Sequence, residues 1–349
     1  MEAEDQLIER IAKSLLSAAR RKRAAGRAEL RLKLGMGDDA AILAPGGSTD
    51  WILTCDAFIE GIHFLRDLHP ADSVGYKSLS RATSDIAAMG AQPRAFLLTL
   101  ALPENLTGRW LDGFLAGMKR AARILGVRLI GGDTTKSPHV FISITVLGEV
   151  PRGRSLARSG ARPGDVIYVS GRLGRAQLGL ELVRSGLRGR KVAAAASRAT
   201  LQQHLYPKIR VELGAWLAQS RIASAMMDIS DGLSTDLPRL CEASGVGARI
   251  DAQRIPCVEL PKAPARKLRG IQSDALQLAL HGGEDYELLF TIPRRNVAKL
   301  RAAPGFSQLT AIGQITRDRE ILLVDSAGRA GPLKSAGWDP FRKSLPAAK

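Results

Sequence analysis

Apolar residues run along this chain in two rhythms, and that mixture limits the possible folds more than any other feature. Strand-length apolar segments occur at residues 40–43, 51–54, 95–102, 140–150, 166–170, 288–292 and 321–324. Between them, helical spacing predicts helices over 72–89, 110–125, 175–185, 233–244 and 273–280, with Gly126 ending the second. Leu7, Ile8, Ile11, Ala12, Leu15 and Leu16 share one face of a helix that opens the chain, and an Ala-rich helix leads to Pro207. Strands and helices mix throughout without strict βαβ alternation, which predicts an α/β chain. Its 349 residues make about two domains at roughly 150 residues each. Residues 151–164 are dense in Pro, Gly and Arg and carry no periodicity. The boundary is expected there, with an N-terminal domain over 1–150 and a C-terminal α/β domain over 151–349.

Composition excludes several classes. No apolar run approaches the ~20 residues that cross a bilayer, so no membrane partner is expected. The chain begins Met-Glu-Ala-Glu-Asp, unlike a secretory or mitochondrial leader, and a cytoplasmic location is the expectation. Cys55, Cys241 and Cys257 are scattered, without the C-x-x-C spacing of a zinc site or the even count of a disulfide framework. The net charge is +17. Basic residues bunch at 20–33, 152–162, 184–198, 262–269 and 294–301 among Ala, Gly and Leu, and aromatics are only 5% of the chain. Base-stacking platforms are therefore not offered, and a solvated basic exterior, or after it the steering of anionic substrates, explains the charge better than nucleic acid does.

The acids are placed in a more telling way. Asp38-Asp39, Asp56, Asp85, Asp133, Asp228 with Asp231, and Glu284-Asp285 each sit in a Gly-, Ser- or Thr-flanked setting, most of them beside an apolar run. Taken singly, each suits a helix cap or a tight turn. Taken together, six such settings point to loops converging on a ligand. Two carboxylates ~4 Å apart repel by roughly 4 kcal/mol at an effective dielectric near 20, so a cluster of them calls for divalent cations. All-oxygen donors with glycines leaving room for phosphate suit Mg²⁺ rather than Zn²⁺, and several Mg²⁺ ions imply a polyphosphate. There is no G-x-x-x-x-G-K-[ST], no G-x-G-x-x-G opening a helix and no kinase H-R-D or D-F-G. His63 and His69 fit no H-E-x-x-H pattern, and lone histidines such as His204 and His281 are expected to be packed or exposed.

Eight strings, in order, carry a family resemblance. Gly35-Met36-Gly37-Asp38-Asp39, Asp56 with Glu60-Gly61-Ile62-His63-Phe64, and Ser84-Asp85-Ile86-Ala87-Ala88-Met89-Gly90 resemble the thiamine-monophosphate kinases. So do Ile130-Gly131-Gly132-Asp133-Thr134-Thr135, Arg158-Ser159-Gly160-Ala161-Arg162-Pro163-Gly164-Asp165, Asp228-Ile229-Ser230-Asp231-Gly232, Gly282-Gly283-Glu284-Asp285-Tyr286-Glu287 and Gly337-Trp338-Asp339-Pro340-Phe341. The resemblance implies the two-domain α/β fold of the aminoimidazole ribonucleotide synthetase-like superfamily. Its N-terminal sheet domain dimerises and binds metal and ATP, and an α/β domain follows. It also implies a homodimer that uses ATP and several Mg²⁺ ions to turn thiamine monophosphate into thiamine diphosphate. By the same resemblance Asp39, Thr54, Asp56, Asp85, Asp133, Asp228 and Asp231 are metal ligands, with Asp56, Asp85, Asp133 and Asp228 central to catalysis. Gly132, Asp133, Arg158 and Ser230 hold ATP, and His63, Glu284 and Trp338 contact thiamine monophosphate.

The residue chemistry agrees with that reading. The acceptor is a phosphate oxygen, already anionic near neutral pH, so no strong general base is needed. Glu284 suits an aminopyrimidine or a thiazolium cation, and Trp338 suits stacking on a flat cation, although a Trp is as readily a packing anchor. One position departs from the family pattern of Ser/Thr-Thr-Asp, where this chain has Thr54-Cys55-Asp56. A thiol is a poor Mg²⁺ ligand, so only a backbone carbonyl there would leave the metal site intact. Two other readings stay open: another ATP-using synthetase of the superfamily, and a basic nucleic-acid-binding protein whose acids are structural.

Overall fold

The computed structural model describes residues 6, 7, 10, 31–185, 195–260, 274–302, 305, 306 and 308–341. Most of the opening helix expected at Leu7–Leu16, and most of the basic stretches at 20–33, 184–198 and 262–269, lie outside the described residues.

The first sheet has six strands: β1 (Arg31–Leu34), β2 (Ala41–Ala44), β3 (Thr49–Ile59), β4 (Gln92–Leu102), β5 (Arg128–Lys136) and β6 (Phe141–Pro151). Their order is β1-β2-β3-β6-β4-β5, antiparallel throughout except for the parallel β4–β5 pair. Two helices pack on one face, α1 (Ala71–Ala88) and α2 (Arg109–Leu125). On β3, β4 and β6 the even-numbered residues are mostly buried under the helices, among them Ile52, Phe58, Phe96, Leu98, Ile142, Ile144 and Val146. Several apolar side chains of this sheet stay exposed: Leu53, Leu97, Leu129, Ile130 and Phe141. That is the one-face-covered pattern of an antiparallel sheet, with an apolar patch in place of the usual polar outer face.

The second sheet has seven strands: β7 (Val166–Val169), β8 (Ala225–Ile229), β9 (Gly247–Asp251), β10 (Glu287–Ile292), β11 (Thr310–Thr316), β12 (Ile321–Val324) and β13 (Ala330–Pro332). Their order is β13-β12-β9-β11-β7-β10-β8. The helices of this half are α3 (Arg175–Arg184), α4 (Ala195–Leu205), α5 (Val211–Ser220), α6 (Leu233–Ser244), α7 (Ala275–His281) and the short α8 (Val297–Arg301). Strands β8 and β10 are buried at every position, as expected for strands covered on both faces.

The two halves meet along α1. This helix packs on β3, β4 and β6 of its own sheet, on α2, and on α4, α5 and β8 of the other half. Its approach to α2 is glycine-dependent. A Cβ on Gly75 would lie 1.9 Å from the Phe114 carbonyl oxygen, and one on Gly117 would lie 1.8 Å from that of Asp72. The helices therefore touch backbone to backbone, and any side chain at either place must push them apart. Gly117→Val should lower stability by about 1–3 kcal/mol or more, seen as a melting temperature several degrees lower. Gly331→Ala, whose Cβ meets nothing within 4 Å, should melt like the parent; equal melting of the two variants would disprove the close contact.

Candidate active site

A cavity of about 930 Å³ opens where the two halves meet. Asp38 and Asp39 reach it from the β1–β2 connection, Asp56 from β3, His63 from the β3–α1 connection, and Arg81 and Asp85 from α1. The other half supplies Arg158, Asp228, Ser230, Asp231, Glu284 and Trp338. Thr54 stands just behind, its hydroxyl donating to Asp85 Oδ2 at 2.6 Å. Gly132 and Asp133 are not brought to this cavity within the chain. They lie on β5, which is exposed along its whole length, and Asp133 accepts a hydrogen bond only from the next backbone N–H, at 2.9 Å.

Local structure differs from the expected loops in ways that matter to the site. Asp56 is inside an eleven-residue strand, and alternation puts Thr54 and Asp56 on the cavity side while Cys55 faces the other way, 3.5 Å from the Ser143 hydroxyl. The Cys55 thiol is thus removed from the acids. Gly131-Gly132-Asp133 belongs to a strand rather than a turn, and a Cβ on Gly132 would lie 1.8 Å from the Leu98 carbonyl oxygen. Asp85 lies in the last turn of α1 and caps no N-terminus. Neither Ser230 nor Asp231 caps α6; instead the Asp236 carboxylate accepts the backbone N–H groups of Ser230, Asp231 and Gly232 at 3.1, 3.0 and 3.0 Å. That fixes the loop carrying Ser230 and Asp231.

Most acids in the cavity wall are held by a nearby cation or hydroxyl, and Asp38 by the backbone N–H groups of Asp39 and Arg158. Arg158 donates through Nε and Nη2 to Asp39 Oδ1 at 2.9 and 2.6 Å. Arg81 donates to Asp56 Oδ2 at 2.8 Å, Arg239 to Asp231, and the Ser84 hydroxyl to Asp228 Oδ2 at 2.6 Å. Burial and the neighbouring carboxylates raise the affinity of several of these groups for a proton. Asp228 is pushed up to about 7 by its burial and by Asp39. Asp85 is pushed well above the usual carboxylate range by burial and by Asp228, Asp56 and Asp39. Asp38 rises to about 6 by burial and by Asp39.

These acids fit divalent cations on their donor chemistry. Asp39 Oδ2 is buried and has no hydrogen-bond partner among the described residues, an orphan acceptor that a cation would satisfy. The carboxylates disfavour one another's charge, and cations between them would relieve that repulsion. Among the described residues no three His, Cys, Asp or Glu side chains are already gathered into a ligating group. The arginines and hydroxyls hold them instead.

The rest of the cavity lining has a different character. His63 accepts a hydrogen bond at Nδ1 from the Ile59 backbone N–H at the end of β3, at 3.0 Å. Burial and the charge of Arg81 push its pKa down to about 4, so the ring is neutral near pH 7 and keeps Nε2–H as a donor. Glu284 has φ 66° and Tyr286 φ 49°, left-handed conformations that are uncommon for residues with a Cβ and are concentrated at functional sites. Asp285 between them accepts from the backbone N–H groups of Gly174 and Ala176 at the start of α3. Trp338 is 47% exposed, and its segment is latched by Trp338 N–H to the Asp231 carbonyl at 2.9 Å and by Gly337 N–H to the Thr235 hydroxyl at 3.2 Å. Lys77, Arg81 and Arg239 escaped the sequence reading. Lys77, Arg81 and Asp85 recur every four residues on α1, which places them on one face, and that spacing was the available signal.

The comparisons with known proteins agree with this geometry. Residues 37–150 match the family described as AIR synthase related protein, N-terminal domain, and residues 162–325 its C-terminal domain. The thiamine-monophosphate kinase of Salmonella typhimurium is 39% identical over 314 residues, covering 89% of this chain and 93% of that one. The enzyme of Aquifex aeolicus is 35% identical over 306 residues, covering 88% and 92%. Among solved structures, "AaThiL complexed with AMPPCP and TMP" superposes with a TM-score of 0.79 at 32% identity, covering 97% of each chain. The thiamine-monophosphate kinase of Stenotrophomonas maltophilia K279a gives 0.71 at 35% identity, covering 94% and 98%. Hydrogenase maturation protein HypE, at 22% identity and a TM-score of 0.63, shares the fold. With identities of this size over nearly the whole chain, the protein belongs to the thiamine-monophosphate kinase family.

Proposed function

We propose that the chain transfers the terminal phosphoryl group of ATP to the phosphate of thiamine monophosphate, giving thiamine diphosphate and ADP. The observation that carries this reading is one cavity lined both by the acids and by His63, Glu284 and Trp338. A relative complexed with AMPPCP and TMP supports both substrates. Asp39, Asp56, Asp85, Asp228 and Asp231, with Thr54 behind them, are the residues that would hold Mg²⁺. When bound, the ions neutralise the charge that develops between two phosphate groups in reach of each other. Arg158 and Ser230 stand beside these acids and bind the ATP phosphates. Arg81 keeps the Asp56 carboxylate oriented, His63 offers a neutral N–H donor, and Glu284 with Trp338 receives the thiamine moiety. No residue has to remove a proton, because the attacking phosphate oxygen is already anionic. Purified protein given ATP, Mg²⁺ and thiamine monophosphate should form thiamine diphosphate, and Asp56→Asn should abolish turnover while the fold melts normally. Phosphate release that ignores thiamine monophosphate would point to a synthetase instead. Trp338→Ala should raise KM for thiamine monophosphate roughly thirtyfold, for about 2 kcal/mol of cation–π contact, with KM for ATP little changed; a lower melting temperature with unchanged KM would make Trp338 a packing anchor.

We further propose a cytoplasmic homodimer whose domains divide at residues 150 and 151. Among the described residues no helix is long and apolar enough to cross a membrane. The partner is a second copy of this chain, seated on the open face of the first sheet. Leu53, Leu97, Ile130 and Phe141 are exposed there, and Gly132 and Asp133 lie on the same sheet's edge strand, outside their own chain's cavity. A second copy would cover the patch and bring those residues to a site. Light scattering on protein from the soluble fraction should report about twice 37.4 kDa; a monomer at micromolar concentration, or recovery only in membranes, would overturn this.

A further inference from the structure

Lys77 is a charged group for which the proposed chemistry has no use. It lies two turns before Asp85 on α1 and is 2% exposed, and a buried ammonium is costly unless it is paired and hydrogen-bonded. Its Nζ crosses to the other half of the molecule, 2.7 Å from Glu284 Oε2 and 3.5 Å from His204 Nδ1. His204, on α4 and 1% exposed, lies Nε2 to Nε2 with His69 at 2.9 Å. His69 Nδ1 is 2.9 Å from the Leu65 carbonyl oxygen and 3.1 Å from the Leu65 backbone nitrogen.

The direction of this row is set at its Lys77 end. An ammonium has donors only, so His204 accepts at Nδ1. A neutral ring then carries its proton on Nε2 and donates it to His69 Nε2. His69 Nδ1 in turn is held against the Leu65 backbone, within reach of both its N–H and its carbonyl. Burial and Lys77 push the His204 pKa well below its ordinary value, in keeping with a neutral ring. The row ends on backbone, so it can brace the ammonium from behind. Glu284 is braced as well: its backbone N–H donates to the Ser230 carbonyl at 2.7 Å, and Asp285 is tied to α3. Its side chain is 24% exposed and lines the cavity. Only Oε2 meets a donor among the described residues, which leaves Oε1 for a ligand.

We propose that Lys77, braced by His204 and His69, is a positioning residue that fixes the Glu284 carboxylate so that Oε1 accepts a hydrogen bond from the amino group of the substrate's aminopyrimidine. This rests on the reading that Glu284 contacts the thiamine moiety, and steady-state kinetics on Glu284→Ala, Lys77→Met and the double variant separate the two. Each single change should raise KM for thiamine monophosphate about tenfold or more, with KM for ATP within about twofold. The double variant should bind no worse than Glu284→Ala, because Lys77 acts only through that carboxylate. An unchanged KM in Glu284→Ala would remove the placement of the thiamine moiety, and with it the inference. A raised KM in Glu284→Ala beside a normal one in Lys77→Met would leave that placement standing and overturn the positioning role, as would fully additive effects. Should Lys77→Met fail to fold, as a broken buried pair can cause, His204→Leu carries the test. A several-fold rise in KM for thiamine monophosphate alone is expected, and a normal KM would overturn the proposal.

Discussion

A helix buried on every side has to satisfy its polar groups within the protein, and in this molecule that helix is α1. Ser73, Lys77, Ser78, Ser80, Thr83 and Ser84 are all buried along it. Some turn back onto their own helix, as the Thr83 hydroxyl does to the Leu79 carbonyl at 2.7 Å. Two of them reach outward across the junction: Ser84 to Asp228 and Lys77 to Glu284. An unpaired buried polar group costs about 1–3 kcal/mol, so these bonds join the halves of the molecule at the positions where the cavity needs both. The glycines on α1 and α2 serve the same end, letting the helix sit close enough for its short side chains to reach.

The acids along the cavity share this logic. Asp39, Asp56 and Asp231 each lean on an arginine, and Asp85 and Asp228 on a hydroxyl. Carboxylates crowded in a poorly solvated wall raise one another's pKa, and each arginine or hydroxyl offsets part of that. The arrangement keeps a charge-rich cavity folded while leaving acceptors such as Asp39 Oδ2 unused. A chain that will bring two phosphate groups together needs this reserve of oxygen donors, because the obstacle in that reaction is repulsion between anions rather than a missing base.

Much of this was legible along the chain, and what was legible has a common cause. The helices over 72–89, 110–125 and 233–244 were read nearly to the residue, because long apolar periodicity with a Gly stop is local information: Gly126 and Gly245 both end their helices in the left-handed region. Strands β1, β5, β8, β9, β11 and β13 and the helices α5 and α8 were not read; the short ones carry too little pattern, and β5 is exposed throughout, with glycines where alternation would show. The motif residues around Asp39, Asp56, Asp85, Asp228 and Glu284 stood out because acid beside glycine is a local signature.

What the sequence by itself determined was the α/β alternation, the set of acid-bearing segments and the family to which they belong. Only the tertiary structure decided which segments meet. It put Asp133 on an exposed edge strand away from the other acids, turned Cys55 away from them on the opposite face of β3, and brought Lys77 to Glu284 across 207 residues of chain. It also paired Arg81 with Asp56 and Arg239 with Asp231, partners that no motif announces. The physical reason is that helical and strand periods are written in neighbouring residues, whereas the pairing of charges depends on packing between elements far apart in sequence.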